Sequence, residues 1–283
     1  MKKLILSALF ILLIAVQNLS AQDSTGNSKS FGIPTSKYGI GFGNSYEFTG
    51  IRFNFADEKT KCINGINITL WLKMFKNMES EVNGISLGII PAGGSMQPVN
   101  IGVLGLGARH NLYGLNLGGG GIVSGGNIAG ISISSLLVMA DGRESNLSGL
   151  VVSGIGVVGE KSIDGIAFSG IVLGSEGYIN GLAASSLYIQ CDNTFRGIGA
   201  TAGYLDAGIF YGIAAAGYSS TSQMTGLSIA LFNSTQELHG VQVGILNHAE
   251  NNSSWTKWLP FINMNFAGDR KEPNSYEFFE PVQ

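Results

Sequence analysis

Between residues 111 and 206, glycines and apolar residues recur at a step of sixteen residues. A Gly followed by Ile or Leu fills places four and five of each sixteen-residue row, and other apolar residues collect at places 2, 7, 10 and 12. The clearest rows are NLSGLVVSGIGVVGEK (146–161), SIDGIAFSGIVLGSEG (162–177), YINGLAASSLYIQCDN (178–193) and TFRGIGATAGYLDAGI (194–209).

The apolar places carry the period of β-strands. Places 5 and 7 alternate as strand residues do, and so do places 10 and 12. Between places 7 and 10 the alternation slips by one, beside small residues such as Ser153 and Gly154. Because Gly or Ser at such a slip marks a bend or a bulge, we predict two short strands with a corner, or one bulged strand, in every row. We expect places 2, 5, 7, 10 and 12 to face the core, and Ser153, Ser169 and Ser185 to face outward.

The glycine anchors extend the repeat well beyond these rows. They run from Gly65 to Gly240 with a modal step of sixteen, which is an internal repeat. In this alignment Asn100 takes the glycine place of one row, and Gly208 follows its predecessor by only eleven residues. We predict a signal peptide at 1–21, a linker at 22–37, a single repetitive all-β domain at 38–266 and a polar C-terminal tail at 267–283.

Two all-β architectures accommodate such rows. In a parallel β-solenoid each row is one coil, so residues at the same place stack on one another and stay apolar together. In an outer-membrane antiparallel β-barrel each row is one strand. All charged residues of 146–206 fall outside places 4–12, which leaves about nine uncharged residues, near the length of a membrane-spanning strand. Uniformly short connections and near-identical rows favour the solenoid, and the barrel is the alternative.

The N-terminal segment has the pattern of a secretory signal peptide. Two lysines precede an apolar run over 4–16, and Ala21 precedes Gln22. That run is short of the roughly twenty residues of a spanning helix. A disulfide between Cys62 and Cys191 would then be chemically permitted. About seven coils of roughly 4.8 Å separate the two rows, however, so we predict separate thiols.

The sequence offers little chemistry. Charged residues make up 12% of the chain and the net charge is −3, which does not indicate nucleic acid as a partner. His110, His239 and His248 lack zinc-ligand spacing. The glycine run at 118–121 is followed by another β row rather than by the helix of a phosphate loop. No base stands near the row serines and the carboxylates are scattered singly. We therefore predict no catalytic, cofactor-binding or metal-binding residue, no cofactor, and no enzyme activity.

The C-terminal part of the chain resembles a known family. GLSIALFNSTQELHGVQVGILNHAENN (226–252) followed by LPFINMNF (259–266) is similar to the closing end of glycine-rich surface-repeat proteins that are common in Bacteroidota, with relatives in spirochaetes. The likeness covers roughly 60–266. It implies an exported envelope protein, and it carries no catalytic residue or cofactor with it.

These observations predict an exported, non-enzymatic envelope or surface protein with a structural or adhesive role, at the outer membrane or cell surface of a Gram-negative-type bacterium. An outer-membrane barrel acting as a pore or anchor is one alternative. An exported glycan-acting enzyme is another, and it would need clustered carboxylates. We expect envelope or outer-membrane components as partners, or lateral self-association. Trp255, Trp258, Phe261 and Phe266 are interpreted as a cap on the last coil or as a membrane-interface girdle.

Overall fold

The computed structural model describes residues 30–35, 37–57, 60–71 and 79–266. The predicted signal peptide (1–21) and polar tail (267–283) lie outside the described residues, as does most of the predicted linker. The chain divides into two compact units, Met1–Gly126 and Asn127–Gln283.

The first unit is a stack of parallel strands. β2 to β7 each pair in parallel with the next strand along the chain, and β1, which lies in the predicted linker, pairs antiparallel with β2. The strands are β1 (Ser30–Pro34), β2 (Tyr38–Gly43), β3 (Glu47–Ala56), β4 (Cys62–Trp71), β5 (Glu81–Gly88), β6 (Ala92–Gly102), β7 (Gly105–Gly118) and β8 (Gly121–Ser124).

The second unit repeats a long strand, a corner and a short strand. β9, β11, β13, β15 and β16 pair in parallel along one side, and β10, β12, β14 and β16 along another. The strands are β9 (Ile128–Ser134), β10 (Leu137–Ala140), β11 (Asn146–Ser153), β12 (Gly156–Gly159), β13 (Ser162–Ser169), β14 (Val172–Ser175), β15 (Tyr178–Ser185), β16 (Tyr188–Thr201), β17 (Tyr204–Ala249) and β18 (Trp258–Asn265).

The pairing decides between the two predicted architectures. Successive rows lie side by side in parallel and in register, with Leu147 beside Ile163 and Ile163 beside Ile179. Each row is therefore one coil of a parallel β-solenoid, as predicted. The antiparallel barrel is wrong, because its strands would alternate in direction from row to row. The predicted corner is confirmed at residues 154–155, between β11 and β12.

The glycine anchors turn the long strand at its fourth place. Gly165, Gly181 and Gly197 have φ angles of +118°, +125° and +134°, as predicted. An L-residue rarely adopts such a backbone conformation. Space is also absent, because a Cβ at Gly181 would lie 2.0 Å from the carbonyl oxygen of Gly165. Only glycine lets neighbouring coils approach this closely at the turn.

The register corrects two anchors. Pro98, rather than Asn100, lies beside the glycine of the preceding coil. Gly212, rather than Gly208, pairs with Gly197, because the register shifts where the chain bulges just before this coil. The apparent step of eleven residues is therefore one of fifteen, and the stack continues without a break there.

The core contains only part of the predicted set. Places 2 and 12 are buried as predicted, with Leu147, Ile163, Ile179, Val157, Leu173 and Ile189 among them. Places 5, 7 and 10 face solvent instead, so that part of the prediction is wrong. Ile166 at place 5 is 44% exposed, whereas Ala167 at place 6 is 0% exposed.

The inversion follows from the unbroken alternation of the long strand. Side chains at places 2, 6 and 8 share one face, and the glycine at place 4 turns the strand without changing that parity. Places 2 and 12 already fill the narrow interior with large side chains. Places 6 and 8 therefore hold small residues such as Ala167, Ala183 and Ser153, all of which point inward. Large residues at places 5 and 7 are consequently left outside.

The C-terminal strand closes the second unit. β18 pairs antiparallel with the last part of β17 and so covers the backbone edge of the last coil, as the cap interpretation predicts. The side chains of Trp255, Trp258, Phe261 and Phe266 are nevertheless exposed. The cap thus protects hydrogen-bonding groups while presenting aromatic surface.

Candidate interaction surface

The outward side of the second unit is an apolar face, defined here as the residues at places 5, 7, 9 and 10 of its coils. These residues stack in register from coil to coil. Place 5 holds Ile131, Leu150, Ile166, Leu182, Ile198, Ile213, Leu227 and Val241. Place 7 holds Ile133, Val152, Phe168, Ala184, Ala200, Ala215, Ile229 and Val243.

The apolar face is similar in size to the largest apolar patches of soluble monomers. Eight coils at about 4.8 Å, and four strand residues at about 3.3 Å each, give roughly 38 by 13 Å, or about 500 Å². The largest apolar patch on a typical soluble monomer is about 300–600 Å², and patches of that size are often functional. The charged residues of 146–206 all lie off this face. The face therefore has the size and composition of an interaction surface.

A trough crosses the apolar face where its side chains become small. Ala184, Ala200 and Ala215 follow one another at place 7 and line a shallow depression of about 550 Å³. Ile229 and Leu231 close the depression at its C-terminal end. We call the depression the trough.

A ridge adjoins the trough on the next two coils. Its members are Ile229, Leu231, Phe232, Val243 and Ile245, all of which are exposed. β18 extends the ridge by one row, since its Ile262 pairs with Val243.

The first unit has a similar outward ladder but a polar interior. Phe42 and Phe53 stack outside with ring centroids 5.4 Å apart. Inside, place 6 holds a buried polar residue in every coil from β3 to β7, whereas in the second unit Ala167, Ala183 and Ala214 take this place in three coils. The buried polar residues are Arg52, Asn67, Ser86, Asn100 and Asn116.

Among these interior residues, Arg52 is the one whose burial costs the most free energy. Its guanidinium is fully buried and forms an ion pair with Asp57. Asp57 also accepts hydrogen bonds from Asn67 at 3.1 Å and from Thr69 at 2.9 Å. Burial lowers the pKa of Arg52 to about 10, while the facing carboxylate acts in the opposite direction. The group remains charged at neutral pH and ties adjacent coils together.

The row serines point inward, which corrects the prediction that they face solvent. The hydroxyls of Ser153, Ser169 and Ser185 each donate to a backbone carbonyl at a coil corner. The acceptors are the carbonyl oxygens of Leu136, Ile155 and Tyr188, at 2.8, 2.7 and 2.9 Å. A hydroxyl suits this place because it is small and finds a hydrogen-bond acceptor inside the coil. These contacts are structural.

One histidine makes contacts that the sequence does not predict. His248 Nδ1 lies 3.3 Å from Ser234 Oγ, and His248 Nε2 lies 3.2 Å from a carboxylate oxygen of Glu250. The imidazole also stacks on Trp258, with centroids 4.1 Å apart. Ser234 and His248 are fourteen residues apart, which equals the step between Gly226 and Gly240, so the shortened coil brings them together.

The Ser234–His248–Glu250 set has the residue types of a catalytic triad but not its surroundings. Glu250 also pairs with Lys257, which is the main reason that its pKa is lowered. Neither the trough nor a second depression near Asp192 includes Ser234. A nucleophile needs a substrate-sized space beside it, as well as a base. The contacts to Trp258 and Lys257 indicate that the set fastens β18 to the last coil.

The remaining candidate residues are dispersed. Cys62 and Cys191 are free thiols, and burial raises the pKa of Cys191 to about 11. His110 is exposed and His239 is half-buried. Over the described ranges, no group of three or more His, Cys, Asp or Glu side chains is placed to hold a metal ion. The glycine run at 118–121 is a bend between β7 and β8.

Comparisons with known proteins add no relative. No family model, no curated protein and no solved structure matches the chain. The likeness to glycine-rich surface-repeat proteins stays a prediction. In the part of the chain that the structure describes, no helix is long and apolar enough to cross a membrane. The fold places the chain in the class of parallel β-solenoids, and its most distinctive surface is the apolar face.

Proposed function

We propose that this chain is an exported, non-enzymatic repeat protein of the bacterial envelope, with a structural or adhesive role exerted through the apolar face. The observation that carries the proposal is the in-register outward stack of large apolar residues, such as Ile166, Ile198 and Ile213. Because the core is filled from other places, these side chains are not needed to close the interior. Their exposure is explained if another surface covers them.

Two further observations support the envelope setting. The N-terminal residues have the pattern of a secretory signal peptide, and the repeated rows resemble those of surface-repeat proteins. A solenoid also presents the same side-chain pattern many times along one line, which suits repetitive contacts with an extended partner. A binding role needs no catalytic group, in keeping with the dispersed carboxylates and histidines.

Cell fractionation tests the proposal. The full chain, tagged and expressed in a Gram-negative host, is expected in the envelope fraction. An Ile166→Ser/Phe168→Ser double variant should keep its strand signal in circular dichroism but shift to the soluble exported fraction. Val158→Ser is the matched control, since Val158 points outward from the short strand and lies off the apolar face.

Two results would contradict the proposal. Retention of the wild-type chain in the cytoplasm would remove the envelope role. Equal partitioning of the wild type, the double variant and Val158→Ser would show that the apolar face is not the working surface.

A further inference from the structure

We propose that the trough and the ridge form a self-complementary contact, through which the second unit binds a second copy of this chain face to face. This inference rests on the proposed function, because it names the partner of the same apolar face. Ridge residues Leu231 and Ile245 are 55% and 59% exposed, whereas the neighbouring coils hold only alanine and glycine at the corresponding positions. In the monomer, the ridge is therefore exposed and the apolar trough beside it is empty of side chains.

The symmetry of the contact follows from the order of these features along the stack. A twofold axis that lies in the interface, parallel to the strands and between the coils of Ala215 and Ile229, reverses the coil order of the second copy. It therefore lays each ridge over the partner's trough, and the same patch serves on both sides, as in most homodimers. An axis along the stack would instead place large residues against large ones.

At places 7 and 9, the pairs that this axis creates match large side chains with small ones. Each ridge residue at place 7 or 9 meets the trough residue of the second copy that has the same place and lies the same number of coils from the axis. The resulting pairs are Ile229 with Ala215, Leu231 with Gly217, Val243 with Ala200, Ile245 with Ala202, and Ile262 with Ala184. Five large-to-small pairs in sequence give the shape complementarity that specific interfaces require.

The available area suits a modest dimer. Three coils on each side of the axis span about 29 Å, and five residues across span about 16 Å, which gives roughly 900 Å² over both copies before side chains interdigitate. Stable interfaces start at about 1,000–1,200 Å² in total, and smaller ones are transient. We therefore expect dissociation in the micromolar range rather than an obligate dimer.

The charge distribution disfavours an anionic membrane as the occupant and leaves a contact with a second copy free of charged groups. Residues 127–266 contain nine acidic and four basic residues, so an anionic lipid surface would repel the unit. The face itself is uncharged between Leu182 and Val243, since Asp192, Arg196, Asp206 and Glu237 lie at the coil edges. Two such faces can therefore meet without burying an unpaired charge.

Sedimentation velocity of the full chain from about 1 to 100 μM measures the association directly. The wild type is expected to pass from monomer to dimer over this range. Leu231→Ser should weaken dimerisation at least about tenfold, since the symmetry loses the side chain twice. Val158→Ser removes an apolar side chain that points outward from the short strand, off the apolar face, and should leave the dimerisation constant unchanged.

A cross-linking experiment tests the register. Chains carrying Ile245→Cys and chains carrying Ala202→Cys are mixed and oxidised, and each variant alone measures the background from Cys62 and Cys191. A cross-linked dimer above background is expected only in the mixture. Equal cross-linking in the separate samples would overturn the proposed axis.

Three further outcomes would each overturn the inference. One is a monomer at every concentration, and another is equal weakening by Leu231→Ser and Val158→Ser. The third is a chain that stays monomeric in solution yet binds phosphatidylcholine or phosphatidylglycerol vesicles, which would assign the face to lipid. A monomer that still partitions to the envelope would leave the proposed function intact, so the two failures are distinguishable.

Discussion

Replacing Gly181 by Ala tests the stacking of the coils at its tightest point. The new Cβ would lie 2.0 Å from the carbonyl oxygen of Gly165, whereas ordinary contact begins near 3.4 Å. The coils must therefore separate by about 1.4 Å at the turn. A strained positive φ costs about 1–3 kcal/mol, and two weakened ladder hydrogen bonds cost about 1 kcal/mol each. We expect a loss of roughly 3–5 kcal/mol in the free energy of unfolding.

Thermal unfolding followed by circular dichroism measures this loss, and a drop of roughly 10–20 °C in Tm is expected. Gly174→Ala is the matched control within the neighbouring coil. Its Cβ would lie no closer than 3.7 Å to another residue, at Gln190, and its φ is not in the positive region. That variant should be neutral or slightly stabilising, because alanine restricts the unfolded chain. If Gly181→Ala and Gly174→Ala melt together, the close approach of the coils is refuted.

The remaining predictions concern burial. Ala167→Asp should prevent stable folding because it buries an unpaired carboxylate. Ile166→Asp should leave the circular dichroism signal intact. The opposite result would show that place 5, rather than place 6, points into the core. At pH 8 in the native protein, Cys191 should react with a thiol reagent far more slowly than Cys62. The reason is that the Cys191 thiol is buried and its pKa is raised. Equal reaction rates would contradict that burial. Asp57→Asn should cost about 3 kcal/mol or more by chemical denaturation, since it leaves Arg52 buried without its counter-ion, and an unchanged midpoint would show that the pair contributes nothing.

The coil length and its corners follow from the sequence because stacking imposes them on every row. A turn that only glycine can make must be occupied by glycine in coil after coil, as at Gly165, Gly181 and Gly197. A corner that needs small residues likewise repeats them. Such constraints repeat the same residue types at a fixed spacing, and that spacing can be recognised in the sequence without a structure.

The direction of the side chains could not be read in the same way. Hydrophobicity alone assigned Ile166 and Phe168 to the core, but the interior is limited by volume as well as by polarity. The relevant signal was the prevalence of small residues at places 6 and 8, among them Ala167, Ala183 and Ser169. At places 5 to 8, either the strand face with large residues or the face with small residues could point into the coil. Because the walls of the coil pack closely together, the face with small residues points inward.

The Ser234–His248 contact was missed for a different reason. Its offset of fourteen residues equals the step between Gly226 and Gly240, whereas the prediction applied the modal period of sixteen. A single fixed period misplaces each residue beyond the bulge, as it did for Gly208. Contacts between coils are therefore predictable from sequence only as far as the period stays constant.

The apolar face and the core are independent of one another in this fold, and that independence gives the relief of the face its meaning. Place 7 changes from Phe168 to Ala184 and later to Ile229, while place 2 stays large and buried throughout. Core packing cannot account for these changes, because the side chains concerned point away from it. Solubility cannot account for them either, since large apolar groups remain exposed. The order of trough and ridge along the stack is explained if the face fits a surface of complementary shape. The trough and ridge of a second copy of this chain form such a surface.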